Sequence, residues 1–133
     1  MDIAIKNRPE DKPLVRAALA QFAREHQLAP SVVRAFDLAL EEFITNILSY
    51  AYNDEKEHRI LVSFQFGSAE VCVRLEDDGK RFNPLDQPAP DVTLPLADKP
   101  LGGLGIYMAR KSVDRMEYVR RKGRNVLTLV KKI

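Results

Sequence analysis

The chain has 133 residues, of which 45% are hydrophobic and 30% charged, with six glycines and eight prolines; this is the make-up of one globular domain, with no room for a second catalytic domain. A single cysteine, Cys72, excludes a disulfide framework or a Cys-based metal site, and two histidines 32 positions apart leave little for zinc or a His-dependent triad. No apolar run approaches the roughly 20 residues of a membrane span, and Met1–Lys6 lacks the basic start and apolar stretch of a secretory signal, so the cytoplasm is the expected compartment and no membrane partner is expected. The net charge of +2 conceals an asymmetry: residues 1–109 carry 12 Lys/Arg against 17 Asp/Glu, residues 110–133 carry nine against two. Only Tyr118 interleaves the Arg120-Arg121-Lys122 run, so a protein partner is favoured for this basic edge over direct nucleic-acid contact.

In chain order, Ile3 and Ile5 alternate with polar neighbours and predict a short strand over 2–8, ended by Pro9. Leu14, Val15, Ala18, Leu19, Phe22 and Ala23 recur at helical spacing and predict an amphipathic helix over about 10–27. His26, near its end, reads as an ordinary surface residue, since Glu25-His26-Gln27 lacks the acid that a phosphoacceptor box carries after its histidine. Ala29-Pro30-Ser31 breaks the helix, with Ser31 the expected N-cap of a second one over 31–52, whose core stripe is Val33, Phe36, Leu40, Ile44, Ile47 and Ala51. Two alternating runs, Ile60–Phe66 and Val71–Leu75, joined through Gly67-Ser68-Ala69, predict a hairpin with Cys72 on the face opposite Val71 and Val73. Five prolines between 84 and 100 mark a loop of about 17 residues, long enough in a compact domain to signal function or disorder. Glycines 102, 103 and 105 close it and open a helix over 104–113, followed by strands over 115–121 and 125–132 turned by Lys122-Gly123-Arg124. The order predicts an α+β two-layer sandwich: a mixed, mostly antiparallel sheet of about five strands covered by three helices.

Three segments carry chemistry. At about 100° per residue, Glu42 and Asn46 fall near 200° and 240° from Leu40, sharing a face directed away from the core stripe. Their neighbours Ala35, Leu38, Ala39, Thr45 and Ser49 are not those of a solvated face, so the helix is expected to be covered on a second side. A half-buried carboxylate beside an amide oxygen suits a hard cation and general-base work. Asp77 lies on the inner face of its strand by the alternation of Val71, Val73 and Leu75, and a carboxylate there needs a donor, for which the exocyclic amine of a purine is suited. Asp78-Gly79 reads equally as a turn. The third segment, Gly102-Gly103-Leu104-Gly105, leads into a helix, where glycines let backbone N–H groups approach phosphate oxygens. Neither the P-loop pattern nor the Rossmann fingerprint is present.

Taken in order, Glu42-x-x-x-Asn46, Asp77-x-Gly79-x-x-Phe82, a variable loop and Gly103-x-Gly105 resemble the N, G1 and G2 boxes of the Bergerat-fold ATPases, the superfamily of gyrases, heat-shock chaperones, histidine kinases and mismatch-repair proteins. Within it, the small size, Asn46-Ile47-Leu48-Ser49-Tyr50-Ala51-Tyr52 and the closing Asn125–Lys131 are similar to the anti-sigma factor serine/threonine kinases, over nearly the whole chain. The resemblance implies one ATP-binding kinase domain over 1–133 with a lid at about 84–101. It also implies that Glu42 is the base, Asn46 coordinates Mg²⁺, Asp77 bonds the adenine amine, Gly79 lets the purine pack close, and Gly103 and Gly105 cradle phosphates. Phe82 and Asn125 complete the implied nucleotide site. Three positions depart from the pattern: Arg81 replaces a second G1 glycine, Tyr50 stands where many such kinases have His, and Asn125 stands for the usual Thr. The implied activity is transfer of the ATP γ-phosphoryl group to a Ser or Thr of a small anti-anti-sigma antagonist, together with sequestration of a sigma factor. A homodimer is compatible with it. The alternative function is a nucleotide-gated binding module that transfers no phosphate, and a third reading is a structural domain with chance motifs.

Overall fold

The computed structural model describes residues 1–86 and 103–133. The elements run β1 (Asp2–Lys6), a 3₁₀ turn at Pro9–Asp11, α1 (Lys12–Glu25), α2 (Pro30–Asn46), β2 (Arg59–Phe66), β3 (Glu70–Asp77), α3 (Gly103–Ser112), β4 (Arg115–Arg121) and β5 (Arg124–Lys132). The expected lid at 84–101 lies largely outside the described residues, apart from one 3₁₀ turn at Pro84–Asp86. Among the described residues no helix is long and apolar enough to cross a membrane.

The five strands form one sheet in the order β1-β2-β3-β5-β4, with every pairing antiparallel. The expected α+β sandwich of five strands and three helices is therefore present, but the mixed character is not. Each neighbouring pair except β3–β5 and β1–β2 is joined by a short turn, and the β4–β5 hairpin turns through Lys122 and Gly123 with φ of 51° and 77°, the two positive values that match a strand pair's twist. The inner face stacks Ile5, Ile60, Val62, Phe64, Val71, Val73, Leu75 and Leu129 against the helices. Among the described residues the outer face carries no helix; it presents Arg74, Glu76, Arg121 and Arg124, with Arg124 Nε 3.5 Å from Glu76. Of the basic residues in 110–133, Arg121 and Arg124 lie on the outer face and Lys122 at the tip of the β4–β5 hairpin, whereas Arg110 and Lys111 end α3 and Arg120 faces inward.

Helix α2 starts one residue earlier than expected. Pro30 occupies the first helical position, where its fixed φ and missing N–H cost nothing, and Ala29 is the cap residue, so Ser31 does not cap the helix. Phe36, Leu40 and Ile44 point into the core as expected. Ala35 and Ala39 are buried on a second side, against α3, where Ala109 is fully buried and Ser112 Oγ donates to the Ala35 carbonyl at 3.3 Å. Leu38, expected on that covered side, is instead 45% exposed. The α-helix ends at Asn46 and continues as a single wide π turn over Ile47–Ala51, a departure from regular helix of the kind found at functional sites. His26 closes α1, its ring stacked on Phe66 at 4.4 Å between centroids.

Candidate functional site

A cleft opens between the C-terminal half of α2 with its wide turn and the inner ends of β3 and β5. Phe43, Ile47, Ala51, Leu75, Leu127 and the buried Pro84 make its walls apolar, the exposed Tyr50 and Phe82 stand at its rim, and Asn46, Asp77, Lys80, Tyr118 and Asn125 supply polarity. The slot offers apolar walls to a flat ring and few polar atoms to orient it, which is the character of a small-molecule site.

Asp77 ends β3 with its side chain on the inner face, 4% exposed. Its Oδ1 accepts from Gly79 N at 2.9 Å and from Asn125 Nδ2 at 3.0 Å, and among the described residues no bond engages Oδ2. Burial holds its carboxyl above the usual carboxylate range, against the two bonds, which favour the charged form. A ligand donor at the free oxygen would relieve that desolvation.

Gly79 is needed for space and not for backbone angle. Its φ is not in the left-handed region, but a Cβ there would overlap Ala51 and come 2.8 Å from the Ala51 carbonyl oxygen. The same carbonyl accepts from Lys80 N at 2.9 Å, so the wide turn and the loop after β3 are knitted together at this point.

Asn125 uses every hydrogen-bonding position it has. Its Nδ2 donates to Asp77 Oδ1 and to the Lys80 carbonyl at 2.9 Å; its Oδ1 accepts from Tyr118 OH at 2.5 Å and Phe82 N at 3.4 Å. Asn125 therefore lines the cleft but has no atom left for a ligand, and its work is to fix Asp77 and the loop. From β4, Arg120 adds a bond from Nη1 to the Gly79 carbonyl at 2.7 Å. With the loop backbone held at residues 79, 80 and 82, Arg81 is exposed and keeps a negative φ, so this loop does not require the second glycine.

Sequence reasoning missed Tyr118 and Arg120. Both sit on the inner face of β4, one residue before and after Val119, and Arg120 pairs in register with Asn125. The alternation that singled out Asp77 would have found them once β4 and β5 were read as one hairpin.

At the other end of the cleft, Asn46 is 9% exposed and donates from Nδ2 to Glu42 Oε1 at 3.3 Å, and among the described residues no bond engages its Oδ1. The expected pairing of these two on one helix face is present. Glu42 packs on α3: a Cβ at Gly105 would overlap its carboxylate. Gly103 and Gly105 both lie in the first turn of α3, where unpaired N–H groups and the helix dipole favour an anion. Among the described residues no group of three acidic, His or Cys side chains could hold a metal by itself. A Mg²⁺ ion here fits only as one sharing its oxygen ligands among a bound phosphate, water and the Asn46 amide, which is how that ion is usually held.

Comparison with known proteins gives the family and the fold. The family described as the histidine kinase-like ATPase domain matches residues 5–131. The chain is 29% identical over 92 residues to the serine/threonine-protein kinase BtrW of Bordetella bronchiseptica, covering 69% of this chain and 65% of that protein. It is 24% identical over 131 residues to the serine-protein kinase RsbW of Bacillus cereus, covering 96% of this chain and 81% of that one. Among solved structures, the RsbU and RsbW domains of Rv1364c from Mycobacterium tuberculosis share the fold with a TM-score of 0.67 at 17% identity, over 98% of this chain and 31% of that chain.

Proposed function

The chain belongs to the histidine kinase-like ATPase domain family, and from that premise we propose that it is an ATP- and Mg²⁺-dependent protein serine/threonine kinase that phosphorylates a small anti-anti-sigma antagonist and sequesters a sigma factor in the cytoplasm. The relatives named as serine kinases support this reading. The observation that carries it is the cleft itself: a buried carboxylate at Asp77 with an oxygen that no bond engages among the described residues, and, bonded to Asn46 in the cleft lining, a second carboxylate, Glu42, packed against Gly105 of α3.

The roles follow from the chemistry of each group. Asp77 accepts a hydrogen bond from the adenine amine, and Gly79 and Phe82 let the ring lie against the β3 loop. Asn46 offers its amide oxygen to Mg²⁺, and the first turn of α3, with Gly103 and Gly105, turns backbone donors toward the phosphates. Mg²⁺–ATP supplies the γ-phosphoryl group with part of its charge neutralised. Glu42 takes the proton of the attacking Ser or Thr hydroxyl as its oxygen bonds to phosphorus and the bond to the β-phosphate oxygen breaks.

Labelled-phosphate transfer to the cognate antagonist, measured beside ATP affinity, tests the proposal. Glu42→Gln keeps shape and removes basicity, so ATP affinity should stay within a few-fold while transfer falls by roughly 100-fold or more. Unmodified protein that binds ATP and partners but transfers nothing would instead identify a nucleotide-gated binding module.

A further inference from the structure

His58, just before β2, lies between two carboxylates on opposite sides of its ring. Nε2 is 2.7 Å from Asp54 Oδ1, and Nδ1 is 3.1 and 3.3 Å from the two oxygens of Asp78. A neutral imidazole carries one N–H and can donate to only one of them; the imidazolium donates to both. The opposed placement also rules out chelation of one ion by the three side chains.

The ring is held in place independently of the two acids. Its backbone N–H donates to Asn7 Oδ1 at 2.9 Å and its carbonyl accepts from Asn7 N at 3.0 Å, which ties it to the end of β1. Tyr52 stacks on it at 4.1 Å between centroids and 13° between planes, a favourable face for a cation. The Tyr52 hydroxyl is buried beside Asp77 and Asp78, and burial foremost keeps it protonated. Asp54 and Asp78 are the charged groups bearing on the ring, the Asp54 bond first in holding its proton, with partial desolvation opposing.

Asp54 belongs to the segment leaving the wide turn, and Asp78 stands between Asp77 and Gly79, so the ring joins the two walls of the cleft. We propose that His58, as an imidazolium, is a positioning residue that clamps the Asp77–Gly79 turn to the segment after α2 and so sets the affinity of the site for adenine nucleotide. This rests on the nucleotide-binding reading above. Loss of the ring proton releases one of the two acids and loosens the turn that presents Asp77.

The test is ATP–Mg²⁺ affinity by calorimetry from pH 5.5 to 8.5 for the unmodified chain, His58→Gln and Asp54→Asn, with the imidazole titration followed by NMR in the chains that retain His58. The nucleotide's own protonation cancels in the ratio of unmodified to His58→Gln affinity. That ratio should fall by about three- to tenfold, the scale of one lost hydrogen bond, with its midpoint at the imidazole titration. Asp54→Asn should move both midpoints to lower pH together, which a merely structural role would not do. A ratio that is constant with pH, or midpoints that do not move together, overturns the clamp while leaving nucleotide binding intact. No binding at any pH overturns the nucleotide reading and the clamp with it.

Discussion

Asn125 Nδ2 and Asp77 Oδ1 meet at 3.0 Å across the β3–β5 pairing, in register although 48 residues apart in sequence. Truncating Asn125 to Ala strands the Lys80 carbonyl, Phe82 N–H and Tyr118 hydroxyl together with one bond to Asp77. Its expected cost is about 2–4 kcal/mol of stability, since buried groups left unpaired lose their full desolvation. Asn125→Thr should cost less, because a hydroxyl keeps the bond to Asp77 but cannot also reach both the loop and Tyr118. Urea unfolding of the two variants checks the order; an Ala variant as stable as the unmodified chain would remove Asn125 from the centre of this network.

Asp77→Asn separates stability from ligand recognition. Because burial raises the Asp77 pKa, the folded state binds its proton more readily than the unfolded chain. Its contribution is therefore complete below the ordinary carboxylate value near ~4 and is lost as the pH rises through the raised value, so ionised Asp77 is a destabilising charge at neutral pH. The Asn variant keeps an oxygen for Gly79 N and Asn125 and sheds that charge. It should be at least as stable at pH 7, yet bind ATP at least about tenfold more weakly, by offering an amide N–H donor where an acceptor is required. GTP, which carries a carbonyl in place of the amine, should bind the unmodified chain poorly. Thermal unfolding and calorimetry, run on the same samples, decide the matter.

Gly105→Ala should have the opposite signature to a packing defect. The atom that a Cβ would strike is the carboxylate end of Glu42, which can swing aside. Alanine is the better helix former by about 1 kcal/mol, so unfolding should be unchanged or slightly harder. Displacing Glu42 should nevertheless lower phosphoryl transfer by about 10- to 100-fold, the scale of misplacing a reacting group. Retained transfer would place the base elsewhere.

The sequence made some of this legible and hid the rest for a physical reason. Asp77 was readable because strand alternation is local, and Glu42 and Asn46 because four residues make one helical turn. Glu42's seat on Gly105 and the saturation of Asn125 depend on which elements lie side by side, and no spacing in the chain expresses that. His58 went unread because its partners lie four and 20 residues away on different elements. Ser31 was misread as a cap because proline at the first helical position takes over the task of starting the helix.

Acid should loosen the start of the fold through Asp11. Its Oδ2 accepts from Lys6 N at 2.9 Å and its Oδ1 from Arg8 Nε at 2.7 Å, and these bonds, the backbone one first, hold its carboxyl below the usual range. The unfolded chain then takes up the proton more readily, so the contribution is complete above the ordinary carboxylate value near ~4 and is lost as the pH falls through the lowered value. The stability difference between the unmodified chain and Asp11→Ala should accordingly be constant from pH 7 to 5 and shrink below pH ~4. A difference that persists unchanged to pH ~2 would assign the contribution to packing instead.

The place of β5 in the sheet governs when a growing chain can first hold a ligand. β5 is the last strand in sequence, yet it inserts between β3 and β4 and delivers Asn125 and Leu127 to the cleft. Until it docks, β3 is an open edge, Asp77 lacks its partner and the loop after it has no anchor at Lys80 or Phe82. A growing chain therefore has no finished cleft floor until residues 124–132 have been made and have docked. Nucleotide captured at that moment would draw the sheet closed, since a ligand that favours the completed state stabilises it by mass action.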